Sequence, residues 1–181
     1  MPSLFEYANW VRQLRREQFA SKYAHPFLLR TAESDAAESN WGFNTRTFSP
    51  EVMAKAISED VKPLPSELGD YDVIAVLKAL HNPWPDRISV GRAHNNDVVL
   101  PDHSISKLHA HFLPQSNGTM LLTDVGSSNG TRVNSSTVAQ EPMPIQSGDA
   151  VTFGAVTLTF LDAGGLYDVV AKILAVGAQD R

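Results

Sequence analysis

The 181-residue sequence contains no cysteine. That excludes disulfide bridges, thiolate zinc sites and a cysteine nucleophile, and it fits a reducing compartment. Basic residues are scarce as well: 15 Lys and Arg stand against 20 Asp and Glu, for a net charge of -5. This balance argues against a broad attraction to nucleic acid or to an anionic membrane, so any bound anion must be held by a local cluster of donors. Long hydrophobic runs are missing too. The longest mostly apolar stretch, near Ala150 to Leu161, is too short to span a bilayer and is broken by Thr and Gly. Met1 to Trp10 has neither the basic end nor the apolar stretch of a secretion signal, and a cytoplasmic location is the expectation.

What is present describes a folded, turn-rich protein. Hydrophobic residues make up 43% and charged residues 19%, with 11 Gly and 11 Pro. The length allows one well-buried core with material left for a smaller appendage.

From Leu4 to about Tyr23, the residues Leu4, Phe5, Ala8, Val11, Leu14, Phe19 and Tyr23 fall roughly three and four apart. The spacing predicts an amphipathic helix with Arg12, Arg15 and Arg16 toward water, either packing on the domain or binding a partner. Phe27 to Arg30 reads as a short extended piece, and Thr31 to Asn40 as a polar loop. Ser49-Pro50-Glu51 opens a second helical pattern, capped by Ser49 and carrying Val52, Met53, Ala56 and Ile57. Thr45 and Thr47 precede it and are candidates for phosphorylation and capture by a neighbouring copy. Pro63, Pro65 and Gly69-Asp70 mark a boundary. Residues 1–70 are therefore expected to be a helical extension of unassigned role.

After Asp70, short apolar runs recur between turn signals: Val73 to Leu80, Ile88 to Gly91, Val98 to Leu100, His109 to Pro114, Thr119 to Asp124, Thr131 to Asn134, Ala150 to Phe153 and Val156 to Leu161. That spacing predicts an antiparallel β-sandwich. Gly165 to Ala175 returns to helical spacing, through Leu166, Val169, Val170, Ile173 and Leu174. The expected division is a sandwich over 71–163 followed by a helix and tail over 164–181.

Three clusters lie at strand ends or in loops, where sandwich proteins place binding residues. They are Gly91-Arg92, Ser106-Lys107-Leu108-His109 and Gly126-Ser127-Ser128-Asn129-Gly130-Thr131. With Gly148-Asp149 ahead of Val151-Thr152-Phe153-Gly154, and Asn96-Asp97 in the first loop, their order and gaps resemble the forkhead-associated (FHA) family of phosphopeptide-binding modules. The resemblance covers about Tyr71 to Asp162. It implies an eleven-stranded sandwich whose loops grip a phosphothreonine. Carried over position by position, Arg92 pairs with the phosphate, Ser106 donates its hydroxyl and Lys107 adds a cation or backbone contact. Ser127 and Ser128 help hold the phosphate or the threonine methyl, and Asn129 bonds the peptide main chain. Gly91, His109, Gly130 and Thr131 are structural in this pattern.

The chemistry is sound without the resemblance. A phosphothreonine carries about -1.5 to -2 charge and three strong acceptor oxygens, so its pocket needs convergent donors more than bulk positive charge. Charge-assisted hydrogen bonds of about 1.5–3 kcal/mol each can supply most of a micromolar affinity, roughly -8 kcal/mol, even in an acidic protein. Arg92 can meet two oxygens with its fork, whereas Lys107 is a point charge. Asp97, Asp124 and Asp149 read as turn formers, and Gly154 as a strand-turn glycine.

The implied function is non-catalytic recruitment of a phosphothreonine-bearing protein, the substrate of a Ser/Thr kinase, with no cofactor, metal, nucleic acid or membrane. A Ser106, His109 and Asp124 triad lacks the strained elbow such a nucleophile needs. Among His94, His103, His109 and His111, His109 already has a place in the FHA pattern and no second ligand pair has clear metal spacing. The alternative is a phosphate-independent scaffold that uses the sheet surface, or that self-associates through the N-terminal helices. Two departures from the family pattern stand out. Lys107 replaces a frequent arginine, and Asn134-Ser135 replaces an Asn-Gly turn. The loops at Asp102 to Ser104 and Arg132 to Thr137 are the expected readers of flanking peptide residues.

Overall fold

The computed structural model describes residues 4–31, 71–80 and 82–176. The helical pattern from Ser49 to Ile57, and Thr45 and Thr47, lie outside the described residues.

Leu4, Tyr7, Ala8 and Val11 repeat at helical spacing and are the buried face of α1 (Leu4–Gln13). The single helix expected through Tyr23 is instead two. Arg15 adopts an extended backbone, its N–H donates to Gln18 Oε1 at 2.9 Å, and α2 (Arg16–Lys22) begins afresh. The break lets both helices bring rings to one place: Tyr7 sits 6.3 Å from Phe19, 5.3 Å from Tyr23 and 5.4 Å from Phe27. Outside, Lys22 Nζ lies 4.1 Å from the centre of the exposed Trp10 ring.

Eleven strands follow: β1 (Phe27–Thr31), β2 (Tyr71–Ala75), β3 (Ile88–Gly91), β4 (Val98–Val99), β5 (Ala110–Pro114), β6 (Met120–Asp124), β7 (Thr131–Val133), β8 (Ser136–Val138), β9 (Met143–Ile145), β10 (Ala150–Phe153) and β11 (Val156–Leu161). Helix α3 (Ala163–Val176) ends the described chain. One sheet has the order β2-β1-β11-β10-β7-β8 and the other β4-β3-β5-β6-β9. Pairing is antiparallel except between β3 and β4, where Val90 faces Val98 in a parallel register. The short piece at Phe27 is thus an interior strand, bonded to β11 on one side and β2 on the other. The sheet recruits it from the part expected to be an extension.

Strand alternation lets β1 serve two cores. Leu28 points between the sheets, among Phe112, Leu122, Phe153, Leu158 and Phe160, while Phe27 and Leu29 point outward to Leu4, Phe19, Leu166 and Val170. Each such fully buried side chain contributes about 1.5–3 kcal/mol of transfer free energy. The outer core occupies the apolar sides of α1 and α2, so the partner-binding alternative for the first helix loses that face to α3 and the sheet.

Antiparallel reversal gathers the end of β3, the start of β5, the end of β6, the start of β7 and the β10–β11 turn at one end of the sandwich. At the opposite end, a cleft of about 620 Å³ opens between Tyr23 to Pro26 and the segments around Thr119 and Gln146.

Candidate phosphopeptide-binding site

The loop after β3 is tied to the loop before β5 by main-chain bonds. Arg92 N–H donates to the Ser106 carbonyl at 3.0 Å, and Ala93 N–H to the Lys107 carbonyl at 3.2 Å. Asn96, buried, donates Nδ2 hydrogens to the carbonyls of Lys107 at 2.7 Å and Ala93 at 2.8 Å. Gly91 permits this approach, since a Cβ there would stand 2.3 Å from the Lys107 oxygen. Neighbouring Asp97 accepts from the amides of Ala79 and Ser89, both at 2.7 Å. Burial alone would raise its carboxyl, but those amides, the Ser89 hydroxyl and Lys78 outweigh it and hold the group below the usual carboxylate value.

The β6–β7 loop joins from the other side. Ser128 N–H donates to Ser106 Oγ at 3.0 Å, and the two serine oxygens are 3.4 Å apart. The first bond occupies a lone pair of Ser106 Oγ, and the hydroxyl hydrogen makes only the long 3.4 Å contact to Ser128 Oγ, which a stronger acceptor would displace. The side chains of Arg92 and Lys107 are exposed and engage no carboxylate among the described residues. Arg92, Ser106, Lys107 and Ser128 are thereby linked on one exposed rim. Asn129 joins them there, with Nδ2 donating to the Ser104 carbonyl at 2.7 Å.

Beneath this rim lies a closed set of bonds. Asp124 accepts from the amides of Gly126 and Ser127 and from the hydroxyls of Ser127 and Thr131, at 2.6 to 2.8 Å. Burial pushes its carboxyl up, but these donors prevail and keep it below the usual value. Ser127, expected among the ligand contacts, instead turns inward: its hydroxyl donates to Asp124 and accepts from Gly130 N–H at 3.0 Å. Both hydrogen-bonding roles of that oxygen are spent on shaping the loop.

His109 is fully buried. Its Nδ1 accepts from Ser106 N–H at 3.0 Å, so Nε2 carries the hydrogen and donates to the Gly130 carbonyl at 3.1 Å. Burial lowers the imidazole below its ordinary value, and Gly130 and Asp124 offset this only in part. The neutral ring therefore spans two loops. No triad forms, because both ring nitrogens are bound to main chain and the Asp124 carboxylate is 4.0 Å from Nε2.

Ser104 was read from the sequence only as the end of the Asp102 to Ser104 loop expected to read flanking peptide residues, and Gly154 only as a strand-turn glycine. Ser104 Oγ accepts from Ala155 N–H at 2.9 Å, and Gly154, at φ +60°, lies where a Cβ would be 2.4 Å from the Ser104 oxygen. The signal available was Asp102-His103-Ser104, whose Asp-x-Ser spacing permits the turn in which Ser104 N–H donates to Asp102. Arg132 to Thr137 forms the β7–β8 hairpin, with Asn134 at φ 55° taking the positive-φ position and donating to Asp149.

The far cleft presents its guanidinium in a different state. Arg16, at its edge, already donates to both oxygens of Asp168. At the rim, by contrast, Arg92 and Lys107 engage no carboxylate among the described residues.

Residues 88–154 match the family model described as FHA domain, and the chain carries an FHA domain. It is similar, at 38% identity over 78 residues, to the ABC transporter ATP-binding/permease protein Rv1747 of Mycobacterium tuberculosis, covering 43% of this chain and 9% of that protein. It is similar at 38% identity over 74 residues to the oxoglutarate dehydrogenase inhibitor of Corynebacterium diphtheriae, covering 41% and 50%. A solved structure described as "Structural and functional analysis of phosphothreonine-dependent FHA domain interactions" aligns with a TM-score of 0.41 at 22% identity, over 50% of this chain and 83% of that one. The chain spans half or less of the length of these curated relatives. Among the described residues, no helix is long and apolar enough to cross a membrane.

Proposed function

We propose that this protein binds a phosphothreonine-containing protein partner and does not alter it chemically. One observation carries the reading: an exposed arginine fork, Arg92, engaging no carboxylate among the described residues, is tied to the loop of Ser106, whose hydroxyl is oriented by Ser128 N–H. A dianionic phosphate satisfies all of these donors together, with Lys107 as a further cation. The braced loops support it, since donors held in place before binding lose less entropy on meeting a ligand. Commitment of His109 to two main-chain groups speaks against serine catalysis and for a binding role. A partner modified by a Ser/Thr kinase, met in the cytoplasm, is the corresponding biological setting, and similarity to an enzyme inhibitor is in keeping with a regulatory binder.

A degenerate phosphothreonine peptide library, screened beside its unphosphorylated counterpart, tests the reading. Phosphopeptides are expected to be enriched, and Arg92→Ala to weaken the binding of a selected peptide by roughly 2–5 kcal/mol with the fold intact. Equal retention of both libraries would favour the phosphate-independent scaffold.

A further inference from the structure

The two sheets are finished differently on their outer faces. The first is covered by helices, through Phe27 and Leu29 against Leu4, Phe19 and Leu166. Among the described residues, that outer core holds no residue of the second sheet, and the inter-sheet core holds no residue of a helix. Alternation then decides what the second sheet shows. Phe112, Leu122 and Ile145 point into the inter-sheet core, so their neighbours Leu113, Leu121 and Pro144 point out. These three stand in one row across β5, β6 and β9, Leu113 paired with Leu121 and Leu121 with Pro144. Neither leucine belongs to a core, and Pro144 is exposed. Beside Leu113 on the same face, His111 carries the ring of Trp84 edge-on at 5.6 Å.

Trp84 belongs to the connection between β2 and β3, which is fastened down by its polar groups. Ala79 N–H donates to Asp97 at 2.7 Å, Asn82 Nδ2 to Ser89 Oγ at 2.7 Å, and Lys78 Nζ to the Arg87 carbonyl at 3.0 Å. The apolar side chains are left outside. Leu77, Leu80 and Trp84 are three of the four large hydrophobic residues exposed among the described residues. Apolar residues gathered on an anchored segment, beside a bare apolar row, mark a contact surface.

Charge narrows the choice of what covers it. The outward residues of the strands, Ser89, His111, Leu113, Leu121, Thr123 and Pro144, include no carboxylate and no ammonium or guanidinium group. Burial also keeps the His111 imidazole below its ordinary value, so it is neutral at pH 7. The connection adds Asp86 and Arg87, one of each sign and paired with each other at 2.6 Å. The whole chain carries -5, which sets two copies against one another, but this face is close to neutral. In a two-fold contact a patch meets itself, and an adjacent acid and base are then self-complementary. Asp86 of one copy can face Arg87 of the other.

We propose that the outer face of the second sheet, with Leu113, Leu121, Pro144 and Trp84, is a two-fold contact through which two copies of this chain associate. The contact uses none of the rim residues and does not depend on the phosphothreonine reading. It assigns self-association to the bare sheet face, where the N-terminal helices have already buried their apolar sides.

Sedimentation equilibrium of the full chain at neutral pH, over a rising series of concentrations, tests this. The wild type is expected to pass from monomer to dimer. Trp84→Ala should raise the dimer dissociation constant at least about 10-fold, as truncation of a central aromatic anchor does. Leu121→Glu should leave only monomer, because the two-fold contact would bury two carboxylates without partners. Should either variant not fold, as judged by circular dichroism, the border charges decide. Asp86→Arg and Arg87→Asp should each weaken association roughly 3- to 30-fold, and the two changes together should restore it, since exchanging both signs keeps the complementarity. A wild type that stays monomeric at every concentration overturns the proposal and leaves the face to another occupant. So does a dimer indifferent to both Trp84→Ala and Leu121→Glu, or a loss in the single charge reversals that the double exchange fails to repair.

Discussion

The inter-sheet core and the outer helical core share strand β1 but stand in different relations to the binding rim. Between the sheets, Phe153 is fully buried and its ring meets His109 edge-on at 5.7 Å, so packing there reaches the imidazole that braces Ser106 and Gly130. In the outer core, Phe19 is equally buried, but its ring partners are Tyr7, Tyr23 and Tyr167, none of which touches a rim residue. The difference teaches that burial alone does not couple a residue to function. Coupling needs a chain of contacts that ends on the site.

The largest expected effect tests that distinction. Phe19→Ala and Phe153→Ala should each cost about 3–5 kcal/mol of stability, measured by denaturant unfolding. Their folded fractions should differ: Phe19→Ala retains wild-type phosphopeptide affinity, while Phe153→Ala weakens it because His109 loses its packing. Equal loss of affinity in both variants would break the comparison.

The same contrast accounts for what could be read in the sequence. The loops beneath the rim were legible because bonds within them join residues close along the chain, Ser106 N–H to His109 Nδ1, Ser127 to Asp124 and Gly130 to Ser127, whereas the bonds that bring Arg92 and Ser128 to Ser106 run from loop to loop. Such short-range bonds impose fixed spacings, and fixed spacings can be recognised. Asp97, Asp124 and Asp149 were legible as turn formers for the same reason, each accepting main-chain N–H groups. The outer core left no such pattern, because it joins Leu4 to Phe27 with Leu161 to Val170 across nearly the whole chain. β1 was readable as extended but not as an interior strand, since that depends on its pairing with β11. The three-residue strands β8 and β9 are too short for alternation to show, and Pro144 in β9 counts against a strand on propensity. The break at Arg15 was hidden because apolar spacing continues through it. For Ser127, spacing puts a serine in the loop but does not say which way its hydroxyl turns.

A middle-sized effect comes from two histidines, His109 just before strand β5 and His111 within it. Both His109 and His111 are held below the ordinary histidine value of 6.5, chiefly by burial. The folded protein therefore takes up these protons less readily than the unfolded chain. Their contribution to stability is complete above pH 6.5 and declines as pH falls below it toward the folded values. The melting temperature is expected to drop as pH falls below 6.5. Asp97 and Asp124 lie below the carboxylate value of 3.8 and act only at lower pH. His111 has a buried Nε2 with no hydrogen-bond partner among the described residues and packs edge-on against Trp84 at 5.6 Å. His111→Leu should flatten part of the pH slope and leave phosphopeptide affinity unchanged. An unchanged slope would assign the whole acid response to His109.

The smallest effect compares two arginines of opposite circumstance. Arg16 donates to both oxygens of Asp168 at 2.9 and 3.0 Å, and it lies across Gly164, where a Cβ would stand 2.5 Å from its guanidinium. The pair is exposed, so solvent and salt screen it. Arg16→Ala is expected to lower the melting temperature slightly, with the difference shrinking as salt is raised, and to leave phosphopeptide binding untouched. Arg92→Ala should do the reverse, barely moving the melting temperature while removing most of the binding. The residue type is the same in both cases. What separates them is whether the fork already holds a carboxylate, because a guanidinium spent on the fold has no bidentate face left for a phosphate. A loss of phosphopeptide affinity in Arg16→Ala comparable to that in Arg92→Ala would mean that the helical end takes part in recognition, and the separation between fold-holding and ligand-holding arginines would fail.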